Sequence, residues 1–175
     1  AMGWNELDEG FRKVVCHAGL YVLPALLASA HAEGASLRAL LRAELLGYET
    51  VTRIARAFRF ESLRIHPRAW LPRGAPPAGV GFLRGLPPAE LLSAVSGAAT
   101  LGMAGPFIHA LQGVLARNTW AAQAASSGLA ALEWAHCGIG GHAASLHDVY
   151  VSALSATQVD LSPFEPTATE GWGVE

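Results

Sequence analysis

From Leu37 to about Arg59 the apolar side chains recur at steps of three and four: Leu37, Leu40, Leu41, Leu45, Tyr48, Val51, Ile54, Ala55 and Phe58. That spacing places them on one face of a long helix. Arg38, Arg42, Glu49, Arg53, Arg56 and Arg59 fall mostly elsewhere on it. Such an element commits the chain to burying an apolar stripe against other elements. Ser36, just ahead of the run, is a candidate N-cap.

The segments around it are also helical in character. Val22–His31 is rich in Ala and Leu, with Pro24 placed in its first turn, and Glu33-Gly34 ends it. Pro72, Pro76 and Pro77, with Gly74, Gly79 and Gly81, argue against a helix that begins before Pro76. Pro87-Pro88-Ala89-Glu90 opens a helix that runs to about Gly102, with an acid near its positive end. Phe107–Leu115 is a short helix, and Trp120–Ala135 is a longer one that Cys137-Gly138 stops. Ser145 with Asp148 has the form of a capping box before Leu146–Leu154. No strand alternation stands out, and no internal repeat is found. The expected fold class is all-α: a compact multi-helix domain over residues 1-160, then an irregular tail over 161-175.

Composition narrows the function classes. Apolar residues make up 51% of the 175 and charged residues 15%, which excludes intrinsic disorder. A net charge of −2 supplies no basic field for nucleic acid or an anionic membrane. The longest apolar stretches, such as Leu20–Ala30, fall short of the ~20 residues of a membrane span. So little charge, with 19 Gly, implies surface buried against a second copy or the rest of a longer protein. Two cysteines, Cys16 and Cys137, make no disulfide framework. With no signal-peptide pattern, a reducing, cytoplasmic setting is expected.

Four groups of residues carry possible chemistry. Glu6, Asp8 and Glu9 lie just before Arg12, Lys13, Cys16 and His17. They can set a carboxylate against an imidazole, or form a solvated acidic turn with a surface histidine. His66 precedes Pro67, which keeps it out of the α region and aims its ring, either into a cavity or against a packed turn. His136, Cys137, His142 and His147 suit zinc by type, but their spacing fits no standard zinc pattern, so no metal is expected. Arg117-Asn118-Thr119-Trp120 stands at a helix start, where Arg117 can grip a carboxylate or Asn118 or Thr119 can simply cap. Gly138-Ile139-Gly140-Gly141 follows a helix rather than a strand, so it reads as a stop and turn, not a dinucleotide fingerprint.

In their order, several short motifs resemble the MmgE/PrpD family, which includes 2-methylcitrate dehydratase, cis-aconitate decarboxylase and iminodisuccinate epimerase. They are Glu6-Leu7-Asp8-Glu9-Gly10, Cys16-His17-Ala18-Gly19 running into Val22-Leu23-Pro24-Ala25-Leu26, Glu33-Gly34-Ala35-Ser36, and Gly47-Tyr48-Glu49 with Arg53-Ile54. His66-Pro67, Gly85-Leu86, Arg117-Asn118-Thr119-Trp120-Ala121 and Gly138-Ile139-Gly140-Gly141 follow in order, so that the likeness covers roughly residues 1–160. The resemblance implies a helical domain that builds most of a polar-acid site, covered by a second, α+β lid domain. It also implies a homodimer that works on a small di- or tricarboxylic acid without a metal or organic cofactor. By the same resemblance the acidic motif falls on Glu6 and Asp8, and the two catalytic histidines fall on His17 and His66.

Two departures are visible. The lysine that cis-aconitate decarboxylases carry before the region of Trp120 has no counterpart in Gly113-Val114-Leu115-Ala116. Pro72, Pro76 and Pro77 interrupt what is usually a smooth Ala-rich helix after the His-Pro turn. Ala1 falls inside the family pattern, so its opening helices and lid are expected outside these residues, and the isolated chain is expected to be inactive. The expected activity is a lyase-type step, dehydration or decarboxylation, with Arg12, Lys13 or Arg117 neutralising substrate carboxylates. Two alternatives are an epimerase or racemase of an amino- or imino-dicarboxylate, and a non-catalytic helical scaffold derived from the family.

Overall fold

The computed structural model describes residues 2–4 and 9–165. Helix α1 spans Ala18–Ala32 and α2 spans Leu37–Ala57. Ser36 caps α2, its hydroxyl accepting the Ala39 N–H at 3.2 Å. Gly34, at φ 64°, turns the chain between the two helices. α1 begins four residues earlier than the sequence pattern suggests, so Pro24 lies in its interior rather than its first turn. Pro24 is exposed, on the side where water can reach the carbonyl that its missing N–H leaves unpaired.

The proline-rich stretch forms helix after all. Three short pieces follow one another: α3 (Pro67–Trp70), a 3-10 turn (Leu71–Gly74) and α4 (Ala75–Leu83). Each proline sits in the first turn of a piece, where the missing N–H would have no intrahelical partner anyway. The expectation that no helix begins before Pro76 is therefore overturned. α4 is the centre of the fold. Ala75 to Gly81 are all buried, and α1, α2, α5 (Pro88–Ala99) and α7 (Trp120–His136) pack around it.

Between α5 and α7 lie the short α6 (Ile108–Leu111) and a 3-10 turn (Leu115–Thr119) that runs straight into α7. Neither Asn118 nor Thr119 caps α7: the Thr119 hydroxyl donates back to the Ala116 carbonyl at 2.7 Å. Gly138, at φ 81°, stops α7. Ser145 is also no cap. It is the first residue of α8 (Ser145–His147), which widens into a π-helix over Asp148–Ala153. Among the described residues two strands do occur, β1 (Phe58–Arg59) and β2 (Gln158–Val159), paired antiparallel and too short to show alternation. Arg53 fastens the C-terminal segment to α2, through Glu49 at 3.1 Å and the Pro163 carbonyl. Among the described residues no helix is long and apolar enough to cross a membrane.

Candidate active site

His17 is the N-cap residue of α1, but its side chain makes no capping bond. The Glu9 carboxylate does that work from outside the helix, accepting the Gly19 N–H on Oε1. A carboxylate at this end also meets the positive pole of the helix dipole. The Tyr48 hydroxyl reaches the other Glu9 oxygen at 3.4 Å. Gly19 makes room for this: a Cβ there would lie 3.2 Å from Glu9 Cγ and 3.3 Å from Oε1. The backbone of Glu9 then orients the histidine. His17 Nδ1 lies 2.6 Å from the Glu9 carbonyl oxygen. A carbonyl only accepts, so Nδ1 carries the proton and the neutral ring keeps its lone pair on Nε2.

His66 has the complementary arrangement. Pro67 holds it extended, at φ −68° and ψ 137°, and its Nδ1 accepts the Arg68 N–H at 3.1 Å, capping α3. The neutral ring therefore carries its proton on Nε2. Phe107 stacks on this ring, with centroids 5.3 Å apart and planes 20° apart, and Trp120 flanks it at 5.7 Å. Burial pushes the His66 pKa down to about 4, helped by the charges of Arg68, Arg117 and His17. His66 is thus neutral at physiological pH, and His17, Arg68 and Arg117 are near enough to act on it by charge.

The other expected residues are less gathered. Arg12 and Lys13 stand exposed on the turn between Phe11 and Cys16, which bridge each other. Arg117 is half-buried in the 3-10 turn before α7, beside His66. Glu6 and Asp8 lie outside the described residues. Two contributors were not singled out from sequence. Glu9 belongs to the acidic motif, but its roles as cap and as carbonyl acceptor depend on contacts eight and ten residues away. Arg68 is buried directly after the His-Pro pair, and a cation in that place was the signal for it.

The histidine-rich loop has structural partners instead. His136 pairs with Glu90 at 3.2 Å, and His142 Nδ1 accepts the Ala144 N–H at 3.2 Å. Among the described residues no group of three or more His, Cys, Asp or Glu is placed to hold a metal ion. The free Cys137 is exposed, while Cys16 is buried and its thiol is pushed up by burial and by Glu9.

No individual curated protein matches the chain. Residues 1–153 match the MmgE/PrpD N-terminal domain. With the helical fold, that match over most of the chain identifies it as a member of the MmgE/PrpD family.

Proposed function

We propose that this chain carries the acid–base half of a lyase acting on a small di- or tricarboxylic acid, by dehydration or decarboxylation. The observation that supports it is the pair of opposite Nδ1 contacts, to a carbonyl acceptor in His17 and to an N–H donor in His66, which give the neutral rings complementary tautomers. His17 offers a lone pair on Nε2 and His66 offers a proton on Nε2. On this reading His17 takes the proton from the carbon α to a substrate carboxylate. His66, neutral because of its burial, donates a hydrogen bond to the oxygen on which charge develops. A neutral imidazole is a poor proton donor outright, so His66 suits an enolate-like oxygen better than a leaving hydroxyl. In dehydration the proton that His17 has taken leaves with the hydroxyl as water; in decarboxylation the same ring works in reverse, its imidazolium giving a proton to the carbon from which CO2 departs.

Arg68 and Arg117 supply positive charge for the carboxylates, which otherwise resist proton removal from the adjacent carbon. Arg12 and Lys13, on the exposed turn, are assigned to steering the polyanion inward, and Glu6 and Asp8 to the proton balance of His17. Two-base epimerisation is less favoured, because the His66 Nδ1 lone pair is engaged by Arg68. The working enzyme is assigned a lid domain and a homodimeric state, with no cofactor. The test is turnover by the full-length protein of a panel of small di- and tricarboxylic acids, followed together with exchange of the α-proton in D2O. Loss of water or CO2 from one member, abolished by His17→Ala, is expected. Absence of both turnover and exchange across the panel overturns the reading.

A further inference from the structure

Glu44 stands one turn before Tyr48 on α2, so the two side chains share a face of that helix. Tyr48 is the residue that reaches Glu9. Glu44 is half-buried, and its Oε2 is buried without a hydrogen-bond partner among the described residues. A charged carboxylate in that position is costly, and the field of Glu9 adds to the cost.

We propose that Glu44 is a positioning residue for His17: lying on the face of α2 from which Tyr48 reaches Glu9, it leaves Glu9 in place while it is neutral, and ionising it drives Glu9 off the start of α1. Glu9 then loses the Gly19 N–H, and the carbonyl that holds the His17 proton on Nδ1 moves with it. The chain of contacts is short. Glu44 and Tyr48 come from α2, Glu9 from the loop, and Gly19 and His17 from the first turn of α1.

The charges around Glu44 support this. Burial first, and then Glu9, raise its pKa to about 7. Tyr48 on α2 and Cys16 at the end of the loop are both held neutral, by burial and by the same Glu9. Glu9 is thus the charge among the described groups that Glu44 meets, and loss of the Glu44 proton sets two carboxylates against each other. That proton leaves near neutral pH, where His17 is needed as a base.

The structural part stands without the proposed lyase activity. Only its effect on turnover rests on reading His17 as the base. The experiment is an NMR titration of the full chain from pH 5 to 9, following the Gly19 amide, with the tautomer of the neutral His17 ring read from its nitrogens at pH 9. In the native sequence the Gly19 amide should move with a midpoint near 7, and at pH 9 the His17 proton should be shared between Nδ1 and Nε2. In Glu44→Gln the Gly19 transition should vanish and the His17 proton should stay on Nδ1 at pH 9. Glu44→Leu should do the same if the amide variant misfolds. Glu9→Gln should shift the carboxyl titration of Glu44 downward.

Glu6→Gln and Asp8→Asn are the controls, and neither should move the midpoint. A Gly19 transition that survives Glu44→Gln, or that follows Glu6 or Asp8, overturns the proposal. So does a Glu44 carboxyl that titrates in the ordinary carboxylate range. In an active full-length enzyme the basic limb of kcat should disappear in Glu44→Gln with KM little changed. An intact NMR transition in a protein without turnover would sink the lyase reading and leave this one standing.

Discussion

The Nδ1 atoms of His17 and His66 do opposite things: that of His17 faces the Glu9 carbonyl at 2.6 Å, and that of His66 accepts the Arg68 N–H at 3.1 Å. Each ring is locked by backbone, so each Nε2 has a defined character. The first consequence concerns substitution. In the full-length protein His17→Ala and His66→Ala should each lower the chemical rate by about 10²–10⁴-fold while the helical circular dichroism stays intact. Rates within a few-fold of the parent for both would remove these rings from the chemistry.

The second concerns acid. The unfolded chain protonates His66 below its ordinary value of 6.5, whereas the folded chain does so only below about 4. Stability is therefore lost as pH falls from 6.5 to about 4 and changes no further from this group below that. The expected loss is about 1–2 kcal/mol, discounted for the partial exposure of the ring. Urea midpoints across this range should show it, and His66→Gln should flatten that part of the profile.

Gly19→Ala addresses the cap. The added Cβ would lie 3.2 Å from Glu9 Cγ and 3.3 Å from Oε1, so the side chain must give by a few tenths of an ångström, which weakens its bond to the residue-19 N–H. Weakening the cap costs up to about 1 kcal/mol, which better helix propensity at the same position offsets. The unfolding midpoint should hence move little, while misplacement of His17 lowers turnover by roughly 10–100-fold. An unchanged rate would mean that Glu9 does not orient the base.

Gly141→Ala addresses packing far from the site. Its Cβ would lie 2.2 Å from the Gly97 nitrogen and 2.3 Å from the Ser96 carbonyl carbon, atoms of the α5 backbone that cannot turn aside. The loop would also lose the bond from the Gly141 N–H to the Ser93 carbonyl, now 2.9 Å. Destabilisation of about 2 kcal/mol or more is expected in a denaturant titration. A stable variant would show that this loop is free to leave α5.

The reach of the sequence followed the physics of each element. α2 was legible to within two residues because it is half exposed and therefore amphipathic. α4 was not, because a helix buried on all sides has no polar face to mark its period, and its prolines read as breakers. His66 was legible, since Pro67 dictates the conformation that lets Nδ1 cap α3. The duty of Glu9 was not, since side-chain capping from outside a helix leaves no fixed spacing. Glu44 passed unnoticed for a similar reason: on the helix it is one more acid, and only the loop laid against it changes its character.

Trp120 gives the site a built-in optical probe. Its ring lies 5.7 Å from His66 and 6.5 Å from His109, and it is buried. Indole emission is quenched by a nearby imidazolium and responds to displacement of the surrounding dipoles. The light emitted from this indole is tied to the charge on His66 and to whatever settles against that ring. Arrival of a substrate can thus be followed without a label, once the emission of the chain's other tryptophans has been subtracted.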